Sequence, residues 1–166
     1  MRMYLCLGSN IEPRRHLARA VAELRLRFDV VAVSRTYRTA PVGDTKQADF
    51  FNLAACIDTD LPPGDVQEEL RAIESLLGRR RDPRRPSGPR TADLDLVLVP
   101  GVVGRFGRLE LPSPLVEREA FVAIPLADLA PELPHPVAGT SLREVAQAAA
   151  ARSSRPPVPV AEGPSR

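Results

Sequence analysis

The chain has 166 residues and a mass of 18.1 kDa, enough for one domain with its own hydrophobic core. Its 23 basic and 21 acidic residues leave a formal charge of +2, so no overall field draws it to nucleic acid or to a membrane surface. No apolar run approaches the roughly 18 residues of a membrane span. A strand pattern begins directly at Met3, so we expect no signal peptide. We therefore expect a cytoplasmic protein.

The first half of the chain alternates strand and helix patterns. Strands are predicted over residues 3–7, 30–38 and 50–59. Between the first two, Pro13 opens a helix whose inward apolar stripe ends at Phe28. A second helix begins at Pro62 and Pro63, and Gly78 ends it.

The second half begins with a strand from Asp93, which completes the order β-α-β-β-α-β. This order predicts an α+β fold, an antiparallel sheet with both helices on one face. Beyond it we predict a short strand near residues 108–111, an apolar helix around 120–129 and a helix from 141 to about 152. Residues 1–152 are taken as one domain. Residues 153–166 are rich in Pro, Ser and Gly and predict a disordered tail.

The cysteines and histidines give no sign of a metal site. Cys6 and Cys56 both lie in apolar strand patterns, which favours reduced thiols in the core over a disulfide or a metal ligand. His16 and His135 have no partner that the sequence reveals. We predict surface positions for both.

The strand that begins at Asp93 is the most informative segment of the chain. Residues two apart on a strand share a face and lie about 7 Å apart, so Asp93 and Asp95 project side by side. The residues predicted to face a core on the other side are Ala92, Leu94, Leu96 and Leu98. Neighbouring carboxylates repel unless a cation lies between them, and Mg²⁺ takes one or two carboxylates with water and phosphate oxygens. A solvated strand face with two acids is the open alternative.

An arginine-rich loop precedes this strand. Between residues 79 and 90 its prolines and Gly88 exclude a helix, and Asp82 is its one acid. Its arginines are Arg79, Arg80, Arg81, Arg84, Arg85 and Arg90. Guanidinium groups bind phosphate oxygens in bidentate fashion, so the loop and the strand together favour a polyphosphate site. A solvated basic run is the alternative.

Five segments in order resemble the 6-hydroxymethyl-7,8-dihydropterin pyrophosphokinase family of folate synthesis. They are Leu7-Gly8-Ser9-Asn10, residues 34–41, Asp49-Phe50-Phe51-Asn52, Ile73-Glu74 with Gly78-Arg79, and Gly88-Pro89-Arg90-Thr91 leading to Asp93-Leu94-Asp95. The resemblance runs from about residue 3 to residue 131. It implies a ferredoxin-like α+β sandwich in which ATP donates its β,γ-diphosphate to the hydroxymethyl oxygen of the pterin and releases AMP. We expect a monomer with these two small-molecule substrates.

The resemblance also implies a role for each matching position. Asp93 and Asp95 would hold two Mg²⁺ ions, and Arg79 with Arg90 would serve the chemical step. The positions implied to contact ATP are Glu74, Arg81, Arg85, Arg90 and Leu96. The positions implied to bind the pterin are Phe50 and Phe121, which would sandwich the ring, and Thr39, Val42 and Asn52 at its edge. A carboxamide such as Asn52 suits a heterocycle edge because it both donates and accepts hydrogen bonds.

Three departures from the family pattern lie on the nucleotide side. Ser113 stands in place of a histidine, and Pro86-Ser87 replace a tryptophan of the loop. Glu119 stands where an arginine is expected, with Arg118 one step earlier. Phe50 replaces a tyrosine but keeps a stacking face. A related protein that binds pterin and ATP yet turns over slowly is therefore an alternative.

Two alternatives come from other classes of function. The arginine loop would suit a nucleic-acid-binding module, but the aromatic residues are few and the paired aspartates would repel a phosphate backbone. The paired acids alone would also suit a Mg²⁺-dependent nuclease, although the sequence contains no further cluster of acidic ligands. We predict no nucleic-acid partner.

Overall fold

The computed structural model describes residues 1–80, 83–84 and 86–161. Eight strands and five helices lie within these ranges. They are β1 (Arg2–Ser9), α1 (Pro13–Arg27), β2 (Asp29–Val33), β3 (Tyr37–Thr39), β4 (Phe50–Asp58), α2 (Pro63–Leu76), β5 (Asp93–Leu98), β6 (Gly104–Phe106), β7 (Leu109–Leu111), α3 (Leu115–Arg118), α4 (Ala120–Leu129), α5 (Leu142–Arg152) and β8 (Val158–Pro159). None of these five helices is both long and apolar enough to cross a bilayer.

Six strands form one antiparallel sheet in the order β5-β1-β4-β3-β8, and β2 also pairs with β4. β1 is central: it pairs with β4 from Arg2 opposite Asp58 to Ser9 opposite Phe51, and with β5 on its other side. β6 and β7 form a separate hairpin. The predicted combination of an antiparallel sheet with helices is confirmed.

The predicted strand over residues 30–38 is two strands. β2 and β3 both pair with β4, and the ladder is interrupted between them. Ser34 bridges the gap, because its N–H donates to the Ala54 carbonyl at 2.9 Å and its hydroxyl accepts the Ala54 N–H at 2.8 Å. The apolar pattern predicted extended backbone here but could not reveal this interruption.

Helices cover both faces of the sheet. On one face, the helices α1 and α2 pack Leu24 and Leu70 against Leu5 of β1, and all three side chains are fully buried. On the other face, α4 and α5 pack Val122 and Ala146 against a second buried layer. Each fully buried aliphatic side chain contributes about 1.5–3 kcal/mol, so both layers are substantial. The prediction that the first two helices share a face is confirmed, and the C-terminal helices complete a third layer.

The strand β5 mostly follows the predicted alternation. Ala92, Leu94 and Leu96 lie in the core beneath α1 and α2. Leu98 lies in the opposite layer instead, because the register between β1 and β5 shifts between Tyr4 and Leu5. A shift of this kind has no signature in the alternation of apolar residues.

The predicted surface positions of the histidines are wrong. His16 is buried, with its Nδ1 2.5 Å from the Ile11 carbonyl oxygen. His135 is only 2% exposed, and its Nδ1 accepts the N–H of Ala138 at 3.1 Å. In both cases a backbone group a few residues away contacts the imidazole, and residue type alone does not indicate this. Cys6 and Cys56 are buried free thiols, as predicted.

The predicted disordered tail is wrong for part of its length. Val158 and Pro159 form β8 and pair with Arg38 and Tyr37 of β3. A two-residue strand in a Pro-rich segment has no periodicity that a sequence reading could detect. Residues 162–166 lie outside the described residues.

Candidate active site

A cleft of about 220 Å³ opens on the α4 side of the sheet. Its floor is made by β1, β4 and β5, whose residues Cys6, Asn52 and Val97 line it. The predicted site residues that line this one cleft are Thr39, Val42, Phe50, Asn52, Arg90, Asp93, Asp95 and Phe121. The structure therefore brings together the predicted metal ligands and the predicted pterin residues.

Asp93 and Asp95 share the cleft face of β5, as their spacing predicts. They lie opposite Gly8 and Cys6 of β1, in the middle of the cleft floor. Among the described residues, no group of three or more His, Cys, Asp or Glu side chains is arranged to hold a metal ion. The two carboxylates fit Mg²⁺, which needs few protein ligands when phosphate oxygens and water complete its shell.

Two arginines donate hydrogen bonds to the carboxylate of Asp93. Its Oδ1 accepts a hydrogen bond from Arg79 Nη1, and its Oδ2 accepts one from Arg90 Nη1 at 2.5 Å. Burial disfavours the charged carboxylate, but the charges and hydrogen bonds of these arginines outweigh it and hold the pKa of Asp93 below its ordinary value. Asp93 is thus ionised, and a metal ion that binds it competes with two guanidinium groups for its oxygens.

Glu74 lies beneath this cluster. It is 3% exposed, and its Oε1 accepts from Arg79 Nη1 at 2.5 Å and from the Leu94 N–H at 2.8 Å. Burial lowers the pKa of Arg79, but Asp93 and then Glu74 reverse the effect and raise it. Glu74 therefore fixes Arg79 and the open edge of β5, and it does not line the cleft. Its direct contact with ATP stays a prediction.

The sequence analysis missed Gln67. This buried residue of α2 accepts the Leu96 N–H at 3.0 Å, and its Nε2 lies 3.5 Å from Asp95 Oδ1. Since Gln67 is seven residues before Glu74, both lie on the helix face that covers the edge of β5. Two polar residues at that spacing on an otherwise apolar face were the available signal.

The Leu96 side chain cannot contact a nucleotide in the cleft. It is 1% exposed and lies in the core on the opposite face of the sheet. Because its N–H is already donated to Gln67, a contact between Leu96 and ATP would have to use its carbonyl oxygen. The contact between Leu96 and ATP stays a prediction.

The slot predicted for the pterin has a fixed polar edge. Asn52 Nδ2 donates to Thr39 Oγ1 at 2.6 Å, which orients the carboxamide. Gly8 lies opposite Asn52 on β1, and a Cβ at this position would be 2.6 Å from Asn52 Oδ1. The glycine is required here because the carboxamide takes the space of a side chain.

Aromatic rings and Arg90 connect the slot predicted for the pterin to Asp93 and Asp95 on the cleft floor. Phe50 and Phe121 both line the cleft, as predicted. The Arg90 guanidinium lies over the Phe50 ring, with its Cζ 5.6 Å from the ring centroid. A cation–π contact of this kind is worth about 0.5–1 kcal/mol or more. Arg90 therefore contacts both halves of the cleft.

Two further polar residues join the loops around the cleft. Asn10 Oδ1 accepts the Arg90 N–H at 2.9 Å, and its Nδ2 donates to Gln47 Oε1 at 2.9 Å. Gln47 in turn donates to the Ser87 carbonyl at 2.6 Å. The Asn10 motif was visible in the sequence, but its partners, 37 and 80 residues away, were not.

The remaining predicted residues are placed as follows. Arg81 and Arg85 lie outside the described residues. Arg118 is exposed, whereas Glu119 lines the cleft together with Phe121. The glutamate therefore takes the position expected of the arginine, and Arg118 is not among the residues that line the cleft.

Comparisons with known proteins agree with this geometry. Residues 4–131 match the family described as 7,8-dihydro-6-hydroxymethylpterin-pyrophosphokinase (HPPK). This chain belongs to the HPPK family. The 2-amino-4-hydroxy-6-hydroxymethyldihydropteridine pyrophosphokinase of Methylorubrum extorquens is 44% identical over 146 residues, which cover 86% of this chain and 90% of that protein. The pyrophosphokinase of the same name from Pseudomonas aeruginosa is 43% identical over 139 residues, covering 80% and 82%.

The HPPK fold is supported separately by solved structures. A Plasmodium falciparum HPPK-DHPS structure with pteroate superposes with a TM-score of 0.69 at 12% identity and covers 91% of this chain. This chain spans 42% of that longer protein. At such low identity the likeness concerns the fold alone. The architecture described above is therefore similar to that of a solved HPPK-containing protein.

Proposed function

We propose that the cleft binds ATP and 6-hydroxymethyl-7,8-dihydropterin, and transfers the β,γ-diphosphate of ATP to the hydroxymethyl group in folate biosynthesis. One observation carries this proposal: in a member of the HPPK family, the paired aspartates, two arginines and an aromatic slot line or border a single cleft. The strand order β5-β1-β4-β3 fits the ferredoxin-like arrangement that we propose for its core.

The reaction requires no nucleophilic side chain. The hydroxymethyl oxygen forms a bond to the β-phosphorus while the bond between that phosphorus and the α,β-bridging oxygen breaks. The alcohol loses its proton and AMP departs. Such transfers depend mainly on positioning and on stabilising charge at the phosphate oxygens.

Asp93 and Asp95 would hold the metal, for which we keep the prediction of two Mg²⁺ ions. When bound, Mg²⁺ neutralises charge on the phosphates. Arg79 and Arg90 are already held at the acidic floor, close to where the triphosphate would lie. We propose that their guanidinium groups turn from Asp93 to phosphate oxygens when the nucleotide arrives.

The aromatic slot would orient the acceptor. Phe50 and Phe121 would stack on the two faces of the pterin ring, and Asn52 would donate and accept at its edge. Thr39 and Val42 lie at the same edge of the cleft and complete the proposed contacts. Since Thr39 fixes the carboxamide of Asn52, the slot is oriented before the ligand binds.

The alternative of a weakened homologue is not favoured. The chain is 42–44% identical to three curated pyrophosphokinases. Ser113 does not line the cleft, and its N–H and hydroxyl take part in backbone contacts with Val97 and Leu115. A monomeric state, a cytoplasmic location, further phosphate contacts from Arg81 and Arg85, and the lack of a nucleic-acid partner stay predictions.

The proposal is tested with the purified full chain, ATP, Mg²⁺ and the pterin. We expect AMP and a pterin product heavier by one diphosphate, both dependent on Mg²⁺ and measured by chromatography with mass spectrometry. Omission of the pterin is the control for ATP hydrolysis. Formation of ADP instead of AMP, or no product at millimolar substrates, contradicts the proposal.

A further inference from the structure

We infer that residues 153–161, here called the C-terminal strap, position the pterin slot and so set the affinity for the pterin but not for ATP. The inference rests on the proposed function. The match to the HPPK family ends at residue 131, so the strap lies beyond the matched region. It nevertheless reaches back to the strand that holds one edge of the slot.

The strap holds β3 through the backbone. β8 lies at the outer edge of β3, with Val158 opposite Arg38 and Pro159 opposite Tyr37. Just beyond it, the Val160 N–H donates to the Thr36 carbonyl at 2.8 Å. β3 is only three residues long and has β4 on its other side. β8 therefore gives this short strand a neighbour on its second side and restricts how far it can shift.

The position of β3 decides where the polar edge of the slot lies. Thr39 ends β3, and its hydroxyl accepts the hydrogen bond that orients Asn52. Val42 follows three residues later and also lines the cleft. A shift of β3 would therefore move the pterin contacts directly. It would leave Asp93 and Asp95 in place, because β5 lies three strands away across the sheet.

The strap also borders the slot through side chains. A second cavity of about 430 Å³ adjoins the slot and is lined on one side by Thr39, Val42 and Phe121. Its other side is lined by strap residues, namely Ser153, Ser154, Arg155 and Pro157.

A bifurcated ion pair secures this contact. Arg155 Nη2 lies 3.7 Å from Asp49 Oδ2, and Arg38 Nε lies 3.9 Å from the same oxygen. Asp49 immediately precedes Phe50, so this pair connects the strap to the residue that would stack on the pterin. The Arg155 side chain is largely exposed, so the pair guides position more than it adds stability.

The main test is Val160→Pro, which removes the N–H donated to Thr36. We expect the KM for the pterin to rise about three- to tenfold, the equivalent of one hydrogen bond, with kcat and the KM for ATP within about twofold of wild type. Ala161→Pro is the matched control. Successive residues of a strand point their N–H groups to opposite sides, so this change adds the same ring without removing a bond to β3.

A surface variant keeps the inference testable if Val160→Pro folds poorly. Arg155→Glu places two like charges at Asp49, and we expect the KM for the pterin to rise at least about twofold. Arg105→Glu is its control, because Arg105 is also largely exposed and pairs with Glu110 at 3.5 Å on a hairpin that does not line the cleft.

The outcomes separate the inference from the proposed function. An active wild type, with a raised KM for the pterin alone in each strap variant that folds, supports the inference. Unchanged pterin KM values, or parallel changes in kcat and in the KM for ATP, overturn it. A wild type that forms no AMP contradicts the proposed function, and the strap inference falls with it.

Discussion

At the scale of single residues, a substitution of Asp95 tests the proposed metal site without disturbing the fold. Its side chain is exposed on β5 and takes no part in the apolar layers, so its loss should not unfold the chain. We expect Asp95→Asn to lower kcat at least about a hundredfold, since it removes half of the proposed metal ligands. Thermal unfolding should stay close to wild type. Asp58→Asn, an exposed strand aspartate paired with Arg2 outside the cleft, is the control. Near-normal turnover by Asp95→Asn would refute the metal assignment.

Gly8 tests the slot in the same way. A methyl group at this position would meet Asn52 Oδ1 at 2.6 Å, so Gly8→Ala must push the carboxamide out of its orientation. We expect the KM for the pterin to rise about tenfold, the equivalent of one well-placed hydrogen bond. Gly64→Ala is a matched control, because a Cβ there meets no atom within 4 Å. Steady-state kinetics with each substrate varied in turn gives the answer. An unchanged pterin KM would mean that Asn52 does not read the ring edge.

At the scale of secondary structure, one polar cluster fastens α4 to β3. Asp128 of α4 accepts from Arg35 Nη2 at 2.8 Å and from the Tyr37 hydroxyl at 2.8 Å. Burial disfavours the charged carboxylate, but the hydrogen bonds from Arg35 and Tyr37 outweigh it and hold the pKa of Asp128 below its ordinary value. Burial and the bond to Asp128 raise the pKa of Tyr37 to about 12. The cluster therefore stabilises the fold only while Asp128 is charged and Tyr37 is neutral.

The pH dependence of stability follows from the lowered pKa of Asp128 and the raised pKa of Tyr37. The lowered pKa of Asp128 gives stability that is present above the unfolded pKa of about 3.9 and is lost as pH falls through the folded value. The raised pKa of Tyr37 gives stability that is present below about pH 10 and is lost as pH rises toward 12. We expect Asp128→Asn to cost about 1–2 kcal/mol at pH 7, with a difference from wild type that shrinks below about pH 4. Denaturant unfolding across pH measures it, and Tyr37→Phe should converge with wild type only at the alkaline end. A pH-independent difference for Asp128→Asn would contradict this account.

The sequence pattern predicted those features of the fold and the site that depend only on residues close together in the chain. The spacing of Asp93 and Asp95 sufficed to place two carboxylates on one face, because alternation on a strand is fixed by backbone geometry. The spacing of Gln67 and Glu74 and the Asn10 motif were visible locally, but their hydrogen-bond partners lie far along the chain, so no local pattern could assign their roles. β8 was missed for the same reason, since it pairs with the distant strand β3.

At the scale of the whole molecule, acidic and basic side chains of the cleft pair with one another. Asp93 pairs with arginines on both oxygens, although the net charge of the chain is only +2. A divalent ion alone would compete with these arginines for the carboxylate without offering them a new partner. A nucleotide supplies phosphate oxygens for the guanidinium groups at the moment the carboxylate takes up the ion. Metal and nucleotide should therefore bind together much more tightly than either binds alone.

This coupling is measurable as ligand-dependent stability of the full chain. A ligand at a hundred times its Kd adds about 2.7 kcal/mol to the free energy of unfolding. We expect a clear rise in Tm with Mg²⁺ and a non-hydrolysable ATP analogue together, and a small one with either alone. Arg90→Gln removes the charged donor from Asp93 Oδ2, so it should strengthen the binding of Mn²⁺ without nucleotide, by about tenfold, and weaken binding of the nucleotide. Electron paramagnetic resonance of Mn²⁺ measures the first effect, with Arg105→Gln as the control on an exposed arginine outside the cleft. If Mn²⁺ binds wild type and Arg90→Gln equally, the arginines do not guard the metal site.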